Sequence, residues 1–253
     1  MSATLQIARH EWRRLAVQPF AWILAAIVVA LMGWEFLLAL GAWFELQSKL
    51  AGLANAPGVT DLVAIPLLRS FSQLLVLIVP LVTMRAFAGE RHQHTLPLLL
   101  SAGIGDAALV CGKFIGAFVY LALLVGFVVL MPITLGFGTT LDTGKLATAL
   151  AGLLLYAAAL TGIGVLCSAW TAHPSLAAAA ALAITTLLSL IDAGARYEGV
   201  TNDAINYLAL PTHLEPFFNG IAASVDAAYF LLLALLALAL AVRRLDGLRS
   251  RPA

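Results

Sequence analysis

Six long apolar stretches constrain this 253-residue chain more than anything else in it. They lie at about 20–43, 63–84, 107–135, 146–170, 175–191 and 225–242. Roughly 20 apolar residues are what a helix needs to cross the hydrocarbon of a bilayer. A backbone inside lipid must satisfy its own hydrogen bonds, so such stretches become helices rather than open strands or loops. The expected fold is an all-α integral membrane protein. It has one transmembrane domain over 1–253, with six spans. Composition agrees: 11% of residues are charged, against about 25% in soluble domains. The net charge of +1 gives no reason to expect nucleic acid as a partner. The first apolar stretch outlasts the roughly 7–15 residues of a signal-peptide core, so it is expected to stay in the membrane.

Residues 4–18 precede the first span. At helical spacing Leu5, Ala8, Trp12, Leu15 and Ala16 share one face, while Arg9, His10, Arg13 and Arg14 line the rest and Ile7 falls off the stripe. That pattern predicts an amphipathic helix lying at the membrane surface. Orientation follows from the basic residues. One set of segments holds Arg9, Arg13, Arg14, Arg85, Arg91, Lys113, Arg243, Arg244, Arg249 and Arg251; the other holds only Lys49, Lys145 and Arg196. Both termini are therefore expected in the cytoplasm. The expected outer segments are 45–61, 136–144 and 192–224. In the last, Ala204–Leu210 and His213–Ile221 read as short helices split by Pro211.

The stretch Pro80–Lys113 is the interruption richest in chemistry. Arg85, Glu90, Arg91, His92 and His94 lead into Thr95, Leu96, Leu98, Leu99 and Leu100, a run far too short to cross a bilayer, and Gly103 and Gly105 end it. It is read as a cytoplasmic loop over 85–106 that carries a short docking helix. Gly112-Lys113 does not make a phosphate loop, because the spacing is wrong and Phe114 stands where a magnesium-binding Ser or Thr would be. Lys113 reads instead as an interfacial anchor. His92 and His94 have no further ligand nearby to complete a metal site. Cys111 and Cys167 lie at or inside spans and read as small buried hydrophobes. His213 and Glu215 are read as capping and packing residues. No catalytic, cofactor or metal residue is predicted, and no enzyme.

Glu35 and Arg69 are ionisable groups within spans, which are costly unless they face a partner or a watery cavity. Antiparallel first and second spans would bring them to similar depth, so they are expected to form an intramembrane polar pair. Gly152, Gly162, Gly164 and the run Ala177–Ala181 are small enough to let helices approach closely, which favours a compact bundle and a dimer face.

The run Pro80-Leu81-Val82-Thr83-Met84-Arg85-Ala86-Phe87-Ala88-Gly89-Glu90-Arg91, then Thr95-Leu96-Pro97-Leu98-Leu99-Leu100-Ser101 and Gly112-Lys113, resembles the ABC-2 type transporter permeases. Within them it resembles the branch of the gliding-motility permease. The segment His213–Gly220 (HLEPFFNG), Asp226, Tyr229-Phe230 and Arg243-Arg244-Leu245 resemble the same branch. Gly89 stands for the first of two acidic residues of that pattern, His94 for a glycine and Pro97 for a glutamate. The resemblance implies an ABC-2, type V exporter-like architecture in a bacterial inner membrane. It implies a second permease copy or homologue and separate ATP-binding cassette ATPase subunits that bind the ATP, so that the permease needs no cofactor. The implied ATPase-docking residues are Arg85, Glu90, Arg91, Thr95, Leu96, Leu98 and Leu99 of the coupling loop, with Arg9 and Arg13 of the leading helix. The implied work is export of an unknown substrate or transmission of conformational change. The alternative from another class is a membrane scaffold or assembly factor without an ATPase.

Overall fold

A computed structural model describes residues 3–50, 57–101, 103–198 and 207–249. Arg251 and positions 204–206 of the predicted outer helix lie outside them, as do the side chains of Lys49 and Arg196. The described residues form helices joined by short connections, without a strand. Helix α1 spans Ala3–Val17 and α2 spans Pro19–Leu50. A wide helical turn over Thr60–Ala64 leads into α3, Ile65–Thr83. The short α4 (Ala88–His92) and α5 (Leu96–Ser101) follow, then α6 (Asp106–Ile133) and α7 (Thr143–Trp170). The chain closes with α8 (Pro174–Glu198), α9 (Leu210–Phe218) and α10 (Ser224–Arg249). Six of these helices are long and apolar enough to cross a membrane. They overrun the apolar stretches at several ends, because helical hydrogen bonding continues into polar flanks once the turn is nucleated.

Six crossings return the chain to the side it started from. Three contacts between distant segments agree: Arg14 reaches the carbonyl of Arg85 at 3.5 Å, and Arg249 bonds the carbonyl of Ile104 at 2.8 Å and forms an ion pair with Asp106 at 3.1 Å. The first helix, the end of the last helix and the described residues between Met84 and Gly105 therefore share one face, called here the terminal side.

Helix α7 is the hub, and glycine is what lets its neighbours in. A Cβ on Gly152 would lie 2.6 Å from Phe217 Cβ of α9, one on Gly162 3.2 Å from the Ala234 backbone of α10, and one on Gly164 2.1 Å from Thr83 Oγ1 of α3. Lipid supplies no hydrophobic force between helices, so such close backbone approach is the main source of cohesion. The three glycines that suggested a dimer face are thus spent inside the chain. The core has two main parts. The larger runs through the spans; the smaller gathers Phe87, Leu96, Leu109, Val165 and Leu245 on the terminal side.

On the opposite, far side, Asp142 caps α7 by accepting from Lys145 N–H at 3.0 Å, and Lys145 pairs with Asp61 at 2.5 Å. The break that Pro211 was expected to make falls two residues earlier, at Ala209, between helical Tyr207–Leu208 and α9. Pro211 sits in the first turn of α9, where a missing N–H costs nothing.

Candidate functional site

On the terminal side the chain leaves α3 and turns through two helices of only five and six residues. Helices this short do not hold by themselves in water. Tertiary contacts hold these two. Helix α4 has no cap of its own at Phe87. The buried hydroxyl of Ser168, on α7, accepts from the N–H groups of Phe87 (2.9 Å) and Ala88 (3.0 Å) and donates to the Met84 carbonyl (3.0 Å). One side chain thereby uses its donor and both acceptor positions on the elbow. Arg91 fastens the other end: its guanidinium donates to the carbonyls of Ala169 (3.1 Å) and Thr171 (3.4 Å), at the C-terminus of α7.

Beneath the elbow lies a buried ionic cluster. Lys113 of α6 is 2% exposed. Its ammonium pairs with Glu90 of α4, lies 3.8 Å from Glu11 of α1 and stands 5.0 Å from the centre of the Phe87 ring. Glu11 is buried too, and pairs with Arg14. Charge at this depth is tolerable only when paired, so three helices are tied by one requirement. Helix α1 reaches the cluster because Gly112 and Gly116 leave it room. A Cβ on Gly112 would fall 2.7 Å from Ile7 Cβ, and one on Gly116 2.6 Å from Glu11 Cβ.

This geometry sorts the predicted docking residues into two groups. Arg85, Thr95, Leu98, Arg9 and Arg13 are exposed. Glu90 and Arg91 are half-buried and engaged inside the molecule, with Lys113 and with the carbonyls at the end of α7. Leu96 and Leu99 pack into the smaller core. The contrast is sharpest along α5, where Leu96 is 5% exposed and Leu98 71%. The stripe on α1 also shifts. Ala8, Glu11 and Leu15 are its buried residues, with Ile7 packed partly against the smaller core, while Leu5 is exposed. A polar cleft of about 290 Å³ opens between the end of α1 and the elbow, lined in part by Arg14, Gln18, Arg85 and His92. Lys113 is a buried cluster centre rather than an interfacial anchor.

The expected pair of Glu35 and Arg69 does not form. Arg69 bonds Glu215 of α9 at 2.7 Å and lies 5.8 Å from the Phe218 ring. Glu35 is exposed on α2 and makes no ion pair among the described residues. The reason is α9, which folds back over the far end of α3 and offers Arg69 a nearer carboxylate. Helix α9 is itself pinned. His213 is buried, with Nδ1 2.6 Å from Asp226 and Nε2 2.9 Å from the Tyr207 carbonyl, and its ring stacks on Tyr229 at 4.0 Å. No group of three or more His, Cys, Asp or Glu side chains that could hold a metal ion occurs among the described residues.

The family model for ABC-2 family transporter proteins matches residues 5–246. This chain belongs to the ABC-2 transporter family. No curated protein matches it. ABC-2 membrane proteins are components of membrane transport systems, and the six-helix architecture fits that assignment. In this ABC-2 protein, the predicted docking loop holds a non-glycine residue in a left-handed conformation. His94 has φ 58°, the left-handed region where glycine is at ease. Sequence reasoning missed Glu11, Ser168 and the role of Lys113. A visible signal was the Gly112-xxx-Gly116 spacing, a helix-approach pattern that overlaps the discarded phosphate-loop reading.

Proposed function

We propose that this chain is the permease subunit of an ATP-driven transporter and that a separate ATP-binding cassette subunit docks on its terminal side. The observation that carries the proposal is α5: a helix of six residues fixed through Leu96 to the smaller core while it presents Leu98 to solvent. A single apolar side chain held outward on a rigid mount suits a cleft in a partner. Exposed Arg9, Arg13 and Arg85 add positive charge nearby, and Thr95 lies at the start of the same helix. The partner binds and hydrolyses ATP, and the permease itself carries no cofactor. Movement of the docked subunit passes to α6, α7 and α1 through Lys113, Ser168 and Arg91, so the elbow and the spans move as one rigid body. The excess of basic residues supports a cytoplasmic terminal side, and the family resemblance supports a bacterial inner membrane. A second permease copy or homologue completes the assembly, and export or mechanical transmission is its output. The likeness of Pro80–Lys113 and of His213–Gly220 to the gliding-motility branch supports this reading.

The test is co-expression with a candidate ATP-binding cassette subunit. The expected result is a complex that survives purification and hydrolyses ATP faster than the isolated subunit. A permease that purifies without the subunit and leaves its hydrolysis rate unchanged contradicts the proposal, and leaves the scaffold alternative.

A further inference from the structure

A cavity of about 380 Å³ lies on the far side between α3, α7, α8 and α9. Its lining is largely apolar but carries polar side chains where spans usually have none. Arg69, Ser72 and Gln73 stand on one face of α3 at helical spacing, and Thr186 and Ser189 line it from α8. Polar side chains inside spans are costly and mark pathways or bound groups. The rest of the lining is apolar and includes Val76, Leu190, Leu214 and Phe218. The cavity holds about a dozen waters at roughly 30 Å³ each. That is room for a headgroup and not for acyl chains, which must stay outside beside the exposed Leu190.

The rim decides the charge of the ligand. Arg69 and Glu215 are bonded at 2.7 Å, yet their side chains are 46% and 45% exposed. A simple anion at Arg69 meets the Glu215 carboxylate, and a simple cation at Glu215 meets the guanidinium. A zwitterion meets neither conflict, because its two charges align against the pair. The pair is also held in place. Arg69 leans on Phe218, and α9 is locked by the His213–Asp226 contact and by Phe217 against Gly152. Preorganised charges lose little on binding.

We infer that this cavity binds the zwitterionic headgroup of a bilayer lipid, with Arg69 taking the anionic group and Glu215 the ammonium. That makes a zwitterionic lipid the substrate of the permease; the inference rests on the reading above for transport, but not for binding.

The experiment extracts full-length permease from vesicles of equal parts phosphatidylethanolamine and phosphatidylglycerol and measures the retained lipid by native mass spectrometry. The wild-type chain is expected to retain phosphatidylethanolamine over phosphatidylglycerol by about tenfold, the ratio that one lost charge-assisted bond predicts. Glu215→Gln leaves a cationic rim and is expected to reverse the preference. Arg69→Lys keeps it. Gln73→Leu, at an exposed position of the wall, lowers retention of both lipids without depending on the pair. Equal retention by the wild type overturns the inference, and so does an unchanged preference in Glu215→Gln. Competition by water-soluble phosphoethanolamine as strong as that of the lipid overturns the lipid source in favour of a free solute. The same preparations are scored for association with the ATP-binding subunit. Lost lipid selectivity with intact association sinks only this inference, and intact selectivity without association sinks only the permease reading.

Discussion

At the scale of single residues, Lys113 is where the account is most exposed to test. It satisfies Glu90 and approaches Glu11, both on other helices. Lys113→Met removes the cation and leaves carboxylates buried. The expected loss is about 3–5 kcal/mol, seen as a lower midpoint in thermal unfolding of the purified protein. Adding Glu11→Gln and Glu90→Gln to the same variant should restore much of that loss, because the stranded charges are gone. His94 makes the opposite prediction. Its left-handed backbone suits glycine better, so His94→Gly should raise stability by about 0.5–1 kcal/mol in the same assay. Neither the buried lysine nor the true partner of Arg69 was legible in the sequence. Lys113 stood beside a glycine at a span boundary, where lysines usually anchor in headgroups. Glu215 is 146 positions from Arg69, and only the fold brings α9 over α3.

Helix-scale patterns were legible in proportion to length. The long spans announced themselves through apolar run length, which needs no knowledge of neighbours. Helices α4 and α5 were visible as a polar elbow and a short apolar run, but five or six residues do not establish a period. The inward face of Leu96 and the outward face of Leu98 come from packing alone. Two predictions belong here. Leu98→Asp should change stability by no more than about 0.5 kcal/mol, as exposed substitutions do, whereas Leu96→Asp places a charge in the smaller core and should prevent stable folding. Circular dichroism on heating separates the two. For α1, a side chain at Gly116 must push Glu11 aside. Gly116→Leu is expected to lift α1 from α6 at a cost of about 1–3 kcal/mol. The buried Ala8, replaced by cysteine, should then react with a water-soluble maleimide, while the same cysteine on a Gly116 background should stay protected.

For the whole molecule, the bundle is organised so that one buried helix, α7, touches both functional ends. Ser168 and the C-terminal carbonyls of α7 hold the elbow; Gly152 receives α9, which carries Glu215. The proposed docking face and the far-side cavity are therefore mounted on one element, as the proposed transmission of movement across the membrane requires. Sequence alone indicated six crossings, a common side for both termini and the family. The division of the docking loop into an inner and an outer set required the packed structure, because Glu90 and Arg91 look like surface charges until Lys113 and α7 surround them.

The most direct measurement is the affinity of the co-expressed ATP-binding subunit for permease carrying Leu98→Asp, compared with wild type in the same detergent. The account predicts that the complex is lost, or weakened by about tenfold or more, while the thermal unfolding midpoint of the permease alone is unchanged. An undiminished complex with Leu98→Asp, at equal permease stability, would contradict the claim that the outward face of α5 is where the ATP-binding subunit docks.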